Sequence, residues 1–342
     1  MNTYRITPSV EKTPLLMPDS INMFVSMPCP LKIPFRQLFQ SFTEENSANG
    51  KMPVYCPVLS HTHDDEVEQM FQNAASENDL PDIIIMMDLK RLFRTGFYDR
   101  FIKTGIYRGV TSPAGLAAMP EEMQKRMERH NLGALSFITW SVVTDLTAGS
   151  AAPDITSWKQ LLHPAFEKSL TVHGHADKIS FGMLYFFYSL MGEEGVVHYA
   201  GNIREIRHFS QIIKRLGAAA SDKTRFNFLP DVAAVHIPSN KKIAVPEMEE
   251  GKDLGLFFCL VKESGMNVCK PVLDFLHGEA FSSMLRRGGC VLPEETSHSG
   301  KYIFMNLDAV IPNYMELEKK LEGLYMQHLH LPEELSETSM CC

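Results

Sequence analysis

The sequence predicts an α/β protein of two lobes, in which mostly parallel sheets carry helices on both faces and two crossing segments form a hinge. Its 342 residues leave room for two domains at roughly 150 residues each. Short apolar segments of strand type alternate with helical segments, which is typical of an open sheet built from β-α-β units. A long β-rich run at 133–146 interrupts this alternation, which then starts again. A run of that length can leave one sheet and enter another.

The part of the chain before that run contains three predicted strands and three predicted helices. The strands are expected at 21–27, 52–58 and 82–87, and the helices at 35–42, 64–75 and 120–129. Asp64 and Asp65 stand at the start of the second helix, where the helix dipole stabilises acidic side chains. The third strand is almost entirely apolar, which indicates that both of its faces are buried.

The part after the run repeats the pattern and then crosses back. We expect helices at 157–162, 179–191 and 203–216, strands at 169–173 and 232–237, a second crossing at 242–246, a strand at 254–261, and helices at 270–276 and 280–286. The first lobe is therefore predicted to comprise 21–137 and 247–331, with 138–246 inserted as the second lobe. Residues 1–20 are predicted to be an irregular leader and 332–342 a flexible tail.

Composition excludes several classes of partner. The net charge is −8 and no block of lysine and arginine occurs, so nucleic acid is not an expected partner. No apolar run approaches the ~20 residues that a membrane span needs.

The first residues lack a signal peptide, so we expect a cytoplasmic protein from the sequence as given, and a periplasmic or cell-envelope protein if a leader was removed. We expect a monomer.

Four segments carry a resemblance to a known family. They are SWKQLLHPAFEKSLTVHG at 157–174, GLFFCLVKESG at 255–265, PVLDFLHGEAF at 271–281 and CVLP at 290–293. In this order they resemble the type 2 solute-binding proteins of ABC transporters, especially the ferric-iron and polyamine group, over about residues 21–295. The resemblance implies a type 2 periplasmic-binding-protein-like fold that closes on a small-molecule or ion ligand, with an ABC permease as partner. The tyrosine pair of the iron binders has no clear counterpart here.

Cysteines stand at the ends of the first two predicted strands, the carboxyl ends where open α/β sheets bind ligands. Pro28 and Cys29 follow the first strand, and the second strand ends in Tyr55-Cys56-Pro57. The two thiols could bind a soft metal, form a redox-labile disulfide, or be two small buried residues. His61 and His63 could complete a metal site with them, whereas the acidic residues that follow are equally explained by helix capping.

The third strand and the crossing run provide three further candidates. Asp88 follows the third strand, where it either accepts hydrogen bonds from a ligand or caps the next turn. Trp140 and Ser141 lie in the crossing run near the expected hinge. The indole could stack on a ligand or pack inside the hinge.

The inserted lobe offers a glycine between two histidines, just before a helix. Gly174 lets a ligand approach the backbone, and Ser180 at the start of the helix offers N–H donors to an anion. His173 and His175 could bind a metal or a carboxylate, or could be hydrogen-bonded loop residues.

Motifs of enzymes are missing from the sequence. It contains no GxSxG elbow, P-loop, HExxH or strand-linked GxGxxG. We therefore expect no catalytic residues, and no cofactor apart from the metal ion that the cysteine and histidine set could hold. The expected function is a solute-binding protein that closes two lobes around a metal ion, an oxyanion or a small organic solute. The alternative is a cytoplasmic sensor or metal-delivery protein, and a remote one is an enzyme that uses Cys29 with His61 or His173.

Overall fold

The computed structural model describes residues 14–48, 52–57, 64–148, 155–174, 179–218, 224–297 and 302–331. The strands are β1 (Ile21–Val25), β2 (Val54–Tyr55), β3 (Ile83–Met86), β4 (Tyr107–Gly109), β5 (Ala134–Ile138), β6 (Trp140–Asp145), β7 (Leu170–His173), β8 (Ile203–Arg207), β9 (Phe226–Pro230), β10 (Ile243–Ala244), β11 (Lys252–Lys262), β12 (Cys290–Val291) and β13 (Tyr302–Phe304). The helices are α1 (Cys29–Ala48), α2 (Asp64–Asn73), α3 (Leu89–Arg94), α4 (Pro113–Ala118), α5 (Glu121–Arg129), α6 (Trp158–Leu161), α7 (Phe181–Met191), α8 (Glu193–Asn202), α9 (Phe209–Arg215), α10 (Asp231–Ala234), α11 (Met266–Leu276), α12 (Glu279–Arg287), α13 (Leu307–Val310) and α14 (Tyr314–His328).

Within the described residues the strands form two mixed sheets. The first has eight strands in the order β12-β5-β11-β3-β1-β2, with β4 and β13 also paired to β11, and the second has five in the order β10-β6-β9-β7-β8. The two-lobed α/β class is confirmed, but the expectation of mostly parallel sheets is wrong. The crossing strands β5, β6 and β11 pair antiparallel with most of their neighbours, because they enter each sheet from the hinge and not from a crossover helix.

The central strand β3 illustrates how the first sheet is buried. Ile83 and Ile85 pack in a cluster with side chains of α1, α11 and α12. Ile84 and Met86 pack on the other face with side chains of α2 and α5. Because successive side chains of a strand point to opposite faces, a strand covered by helices on both faces must be apolar throughout. The structure confirms this prediction, since all four residues are 0% exposed.

Two segments of the second lobe differ from the sequence prediction. The predicted helix at 203–216 is a strand, β8, followed by the shorter helix α9. Its apolar residues at 203, 206, 209 and 212 recur at a helical spacing, but the edge of β7 pairs with 203–207 in parallel register. The predicted strand at 232–237 is also wrong, because β9 ends at Pro230 and the chain turns directly into α10.

The C-terminal helix α14 packs on the second lobe. Tyr314, Leu321 and Tyr325 are buried in a cluster with side chains of β9, α7 and α8. The assignment of all of 247–331 to the first lobe is therefore wrong for this helix. The chain passes between the lobes a third time, after β13, so the prediction of two crossing segments is incomplete.

Gly109 and Gly133 allow two segments of the chain to touch beside β11. There the neighbour of β11 changes from β4 to β5: the Val110 amide donates to the Cys259 carbonyl, and the Cys259 amide donates to the Gly133 carbonyl, each at 3.0 Å. A Cβ atom on Gly133 would lie 2.1 Å from the Val110 nitrogen. A side chain cannot be accommodated at this crossing.

Replacing Gly133 with alanine should destabilise the protein strongly, because the atoms that would clash are backbone atoms of the sheet. We expect a loss of more than ~2 kcal/mol in the free energy of unfolding, measured by urea denaturation. Gly201→Ala is the matched control, since nothing lies within 4 Å of its Cβ position and alanine favours a helix over glycine by ~1 kcal/mol. Equal stability of the two variants would contradict this account.

Candidate functional site

The carboxyl ends of three strands define one edge of the second sheet. β7 is parallel to both β8 and β9, and His173 is paired with Arg207 at the end of β8. β6 runs antiparallel to β9, so Trp140 at its start pairs with Pro230 at the end of β9. Two residues that were predicted separately, Trp140 and His173, therefore meet at the edge where ligands bind in sheets of this kind.

Four partly exposed rings lie together at this edge, and we call them the ring shelf: Trp140, His173, His208 and Phe209. The Trp140 and His173 ring centroids are 6.2 Å apart with the planes inclined by 27°. His208 and Phe209 lie 5.6 and 5.5 Å from His173. The indole also packs on Phe228, at 5.0 Å, and it remains partly exposed.

His208 and Phe209 were missed at the level of sequence. The predicted helix at 203–216 would have placed them in its interior, whereas in the structure they follow β8 and begin α9. The signal that could have found them is the change from a strand to a helix at His208, whose side chain accepts a hydrogen bond from the Ser210 amide as a helix cap.

Backbone amides fix the tautomers of both histidines. The Phe209 amide donates to Nδ1 of His173 at 3.1 Å, and the Ser210 amide donates to Nδ1 of His208 at 3.3 Å. The Arg207 carbonyl oxygen also lies 3.4 Å from Nδ1 of His173; we assign this nitrogen as an acceptor because an amide can only donate. A neutral ring whose Nδ1 accepts carries its proton on Nε2. Nε2 is then a donor and not a lone pair for a metal ion.

Gly174 directly follows β7 and so stands at the same edge. Gly174 has φ of +152°, a conformation that costs glycine little and other residues much, and its amide donates to the Arg207 carbonyl at 3.2 Å. Ser180 precedes α7, and its side chain makes no capping hydrogen bond within the described residues. His175 lies outside the described residues. The structure thus places Gly174 beside the ring shelf, which includes Trp140 and His173.

The first-lobe candidates stand at the ends of β1 and β3. Cys29 is exposed at the first residue of α1, and the Pro28 carbonyl accepts from the Leu31 amide at 2.9 Å. Asp88 caps α3, accepting a hydrogen bond from the Arg91 amide at 3.2 Å, so the capping alternative applies to it. Ser141, by contrast, is 3% exposed and lies inside the second sheet.

The described residues contain no group of three or more histidine, cysteine or acidic side chains arranged to hold a metal ion. His61 and His63 lie outside the described residues, so the predicted set with Cys29 and Cys56 stays a prediction. Cys56 follows β2 and is half-buried. Desolvation raises the pKa of its thiol to about 12, which disfavours the thiolate that a metal would need.

Asp231 joins the two crossing segments at the hinge. The run at 133–146 divides at Thr139, whose hydroxyl donates to the Asp231 carboxylate at 2.6 Å while the Asp231 amide donates to the Thr139 carbonyl at 2.8 Å. Lys252, at the start of β11, pairs with the same carboxylate oxygen at 2.7 Å. The sequence pointed to Trp140 and Ser141 near the hinge but not to this carboxylate.

Ser157 and Trp158 hold the second crossing in place. They begin the first of the four segments that carry the family resemblance. The Ser157 hydroxyl and the Trp158 amide both donate to the Glu250 carboxylate, at 2.5 and 3.0 Å. The Trp158 indole donates to the Gly251 carbonyl at 2.7 Å, and its ring is 1% exposed. These residues therefore hold the returning chain against the second lobe just before β11 begins.

The two lobes, the hinge and the paired strand edges define the class of two-lobed solute-binding proteins. This chain belongs to the family of bacterial extracellular solute-binding proteins, whose profile matches residues 78–301. No curated protein sequence is significantly similar to it.

Solved structures share the fold at low sequence identity. The apo ferric ion-binding protein A of Pasteurella haemolytica has a TM-score of 0.62 at 11% identity, over 90% of this chain and 98% of that chain. Apo FutA2 of Synechocystis PCC6803 has a TM-score of 0.62 at 12% identity, over 90% and 99%. An ABC transporter protein of Clostridium perfringens ATCC 13124 has a TM-score of 0.62 at 11% identity, over 90% and 99%.

These similarities confirm the resemblance to type 2 solute-binding proteins of ABC transporters. The family is described as one of solute-binding proteins, and the Pasteurella haemolytica structure as a ferric ion-binding protein. In the described part of the chain, no helix has the length and apolar character that crossing a membrane requires.

Asp253 is a buried acid at the junction between the lobes. It lies on β11 beside Ile303 of β13, and Ile303 packs against the core cluster of the second lobe. The residue is only 7% exposed. Desolvation raises the pKa of its carboxyl group from 3.8 to about 8, so it is protonated at neutral pH.

Replacing Asp253 with asparagine should stabilise the protein at alkaline pH. Between pH ~4 and pH ~8 the folded chain keeps a proton that the unfolded chain has released, so the free energy of unfolding falls as the pH rises through this window. Asparagine stays neutral, and we expect its melting temperature at pH 8.5 to exceed the wild-type value by more than ~2 °C, with near equality at pH 4.

The control is Asp99→Asn, which replaces an exposed carboxylate whose side chain is 71% accessible. Its melting temperature should follow the wild-type pH dependence. A gain for Asp253→Asn that is the same at both pH values would contradict a buried, protonated acid.

Proposed function

We propose that this protein binds a small organic solute between its lobes, closes on it, and presents it to an ABC permease in the cell envelope. The observation that carries the proposal is the ring shelf, at the carboxyl edge of the second sheet beside the hinge. Membership of a family described as extracellular supports a site of action outside the cytoplasm. The absence of known catalytic motifs agrees with a binding role and not an enzymatic one.

The chemistry of the shelf favours a flat solute with an oxygen acceptor. The Trp140 and His173 rings are inclined by 27° to each other, and partly exposed aromatic surface suits the apolar plane of a ligand. The tautomers of His173 and His208 make Nε2 a donor, which suits a carboxylate or a carbonyl oxygen better than a metal cation.

The remaining predicted residues would contact the solute as the lobes close. Pro28, Cys29 and Asp88 follow strands of the first sheet, and Gly174, His175 and Ser180 lie between β7 and α7. Since ligands of α/β sheets sit beyond the carboxyl ends of strands, closure would bring the two groups to opposite sides of one ligand.

Mutation of the ring shelf should weaken binding without loss of the fold. We expect Trp140→Ala and His173→Ala each to raise Kd at least ~10-fold, a loss of ~1.4 kcal/mol. The ligand would come from a thermal-shift panel of oxyanions, polyamines, thiamine and amino acids, with Kd then measured by calorimetry. Small-angle scattering of the wild type with that ligand should record compaction.

His330→Ala is the control, because His330 is an exposed histidine far along the chain from the shelf. It should bind like the wild type. Wild-type affinity in both shelf variants would exclude the shelf as the site, and a stabilising ligand that causes no compaction would exclude closure.

A metal ion is the second candidate, because ferric ion-binding protein A shares this fold. It would use Cys29, Cys56, His61 and His63. Elemental analysis of protein purified under reducing, anaerobic conditions tests it: about one metal ion per chain, lost on Cys29→Ser, would support this site. Protein free of metal after incubation with ferric or zinc ions, followed by desalting, would exclude it.

A further inference from the structure

Helix α3 lies against both lobes. Its Leu92 is buried in the core of the first lobe. Leu89 and Phe93 are partly buried and pack against that core and also against the core of the second lobe. The Phe93 ring stacks on Tyr314 of α14 with 4.2 Å between centroids and 15° between planes.

Four ion pairs join the same two helices. Lys90 lies 2.5 Å from Glu322 and 3.4 Å from Glu318. Arg94 lies 3.2 Å from Glu318 and 3.4 Å from Glu322. The Glu318 side chain is only 3% exposed, so its carboxylate has exchanged water for these two cations.

Helix α14 is in turn fixed to the second lobe. Tyr314 lies 4.5 Å from Phe181, the first residue of α7. Lys320 pairs with Glu193 of α8 at 2.6 Å. Tyr314 therefore contacts both α3, which follows β3 in the first lobe, and α7, which follows β7 in the second lobe.

We propose that Lys90, Phe93, Arg94, Tyr314, Glu318 and Glu322 form a clasp that holds the lobes in the arrangement seen here and so sets how readily they move. The existence of the clasp does not depend on the proposed function. Only its role, which is to control closure on a solute, rests on that function. A buried carboxylate that loses its cations is strongly unfavourable. Removing Lys90 and Arg94 therefore favours separation of α3 from α14, which returns Glu318 to water.

The test needs no ligand and so is independent of the proposed binding. Small-angle scattering of the full chain is compared for the wild type, Lys90→Ala/Arg94→Ala, and the same double variant with Glu318→Gln. We expect the double variant to have a larger radius of gyration and a broader distance distribution. A buried amide costs far less than a buried carboxylate, so Glu318→Gln should restore most of the wild-type profile.

Lys270→Ala is the matched control, because it removes an exposed ion pair with Asp274 within α11 and should leave the profile unchanged. Circular dichroism checks that each variant is folded. If the double variant does not fold, the single variants Lys90→Ala and Arg94→Ala replace it: each leaves one cation beside Glu318, and each should shift the profile in the same direction by a smaller amount. A folded variant that lacks one or both cations and keeps the wild-type profile would overturn the proposal.

Discussion

The Asp231 carboxylate joins the two chain segments that pass between the lobes at the hinge, and the position of the cleft follows from this contact. It accepts from Thr139, where the crossing run divides, and pairs with Lys252, where β11 begins. Because Trp140 comes directly after Thr139, the same contact places the indole at the edge where β7, β8 and β9 end. The ring shelf therefore belongs to the second lobe, and in the proposed closure the first lobe would approach it.

Backbone hydrogen bonds set the orientation of both histidine rings of the shelf. Both histidines accept a backbone amide through Nδ1, so their rings have a fixed direction and a fixed tautomer. A site that is ordered in advance loses less conformational entropy on binding. The proposed clasp between α3 and α14 would affect a different contribution to the free energy of binding. It acts on the free energy of moving the lobes relative to each other, and not on the contacts within one lobe.

Local patterns in the sequence predicted much of the fold and part of the site. The apolar run of β3 and the long run that divides at Thr139 could be recognised from local sequence alone. Trp140 was predicted from its place in the crossing run, and His173 from the end of a predicted strand. The rest depends on partners distant in sequence. Residues 203–207 fit both a helical and a strand period until β7 supplies an edge, which hid His208 and Phe209. The apolar face of α14 is complementary to α7 and α8 only after these have folded.

The place of β11 in the first sheet has a consequence for synthesis. It lies between β5 and β3, yet it is made from residues 252–262, long after both of its neighbours have left the ribosome. The second lobe likewise awaits α14, at residues 314–328. Neither core can be completed until most of the chain has been translated, which takes on the order of 20 s or more at ~5–20 residues per second. Until β11 has been made, the edges of β3 and β5 that it will cover are unpaired, and unpaired strand edges favour aggregation of a nascent chain.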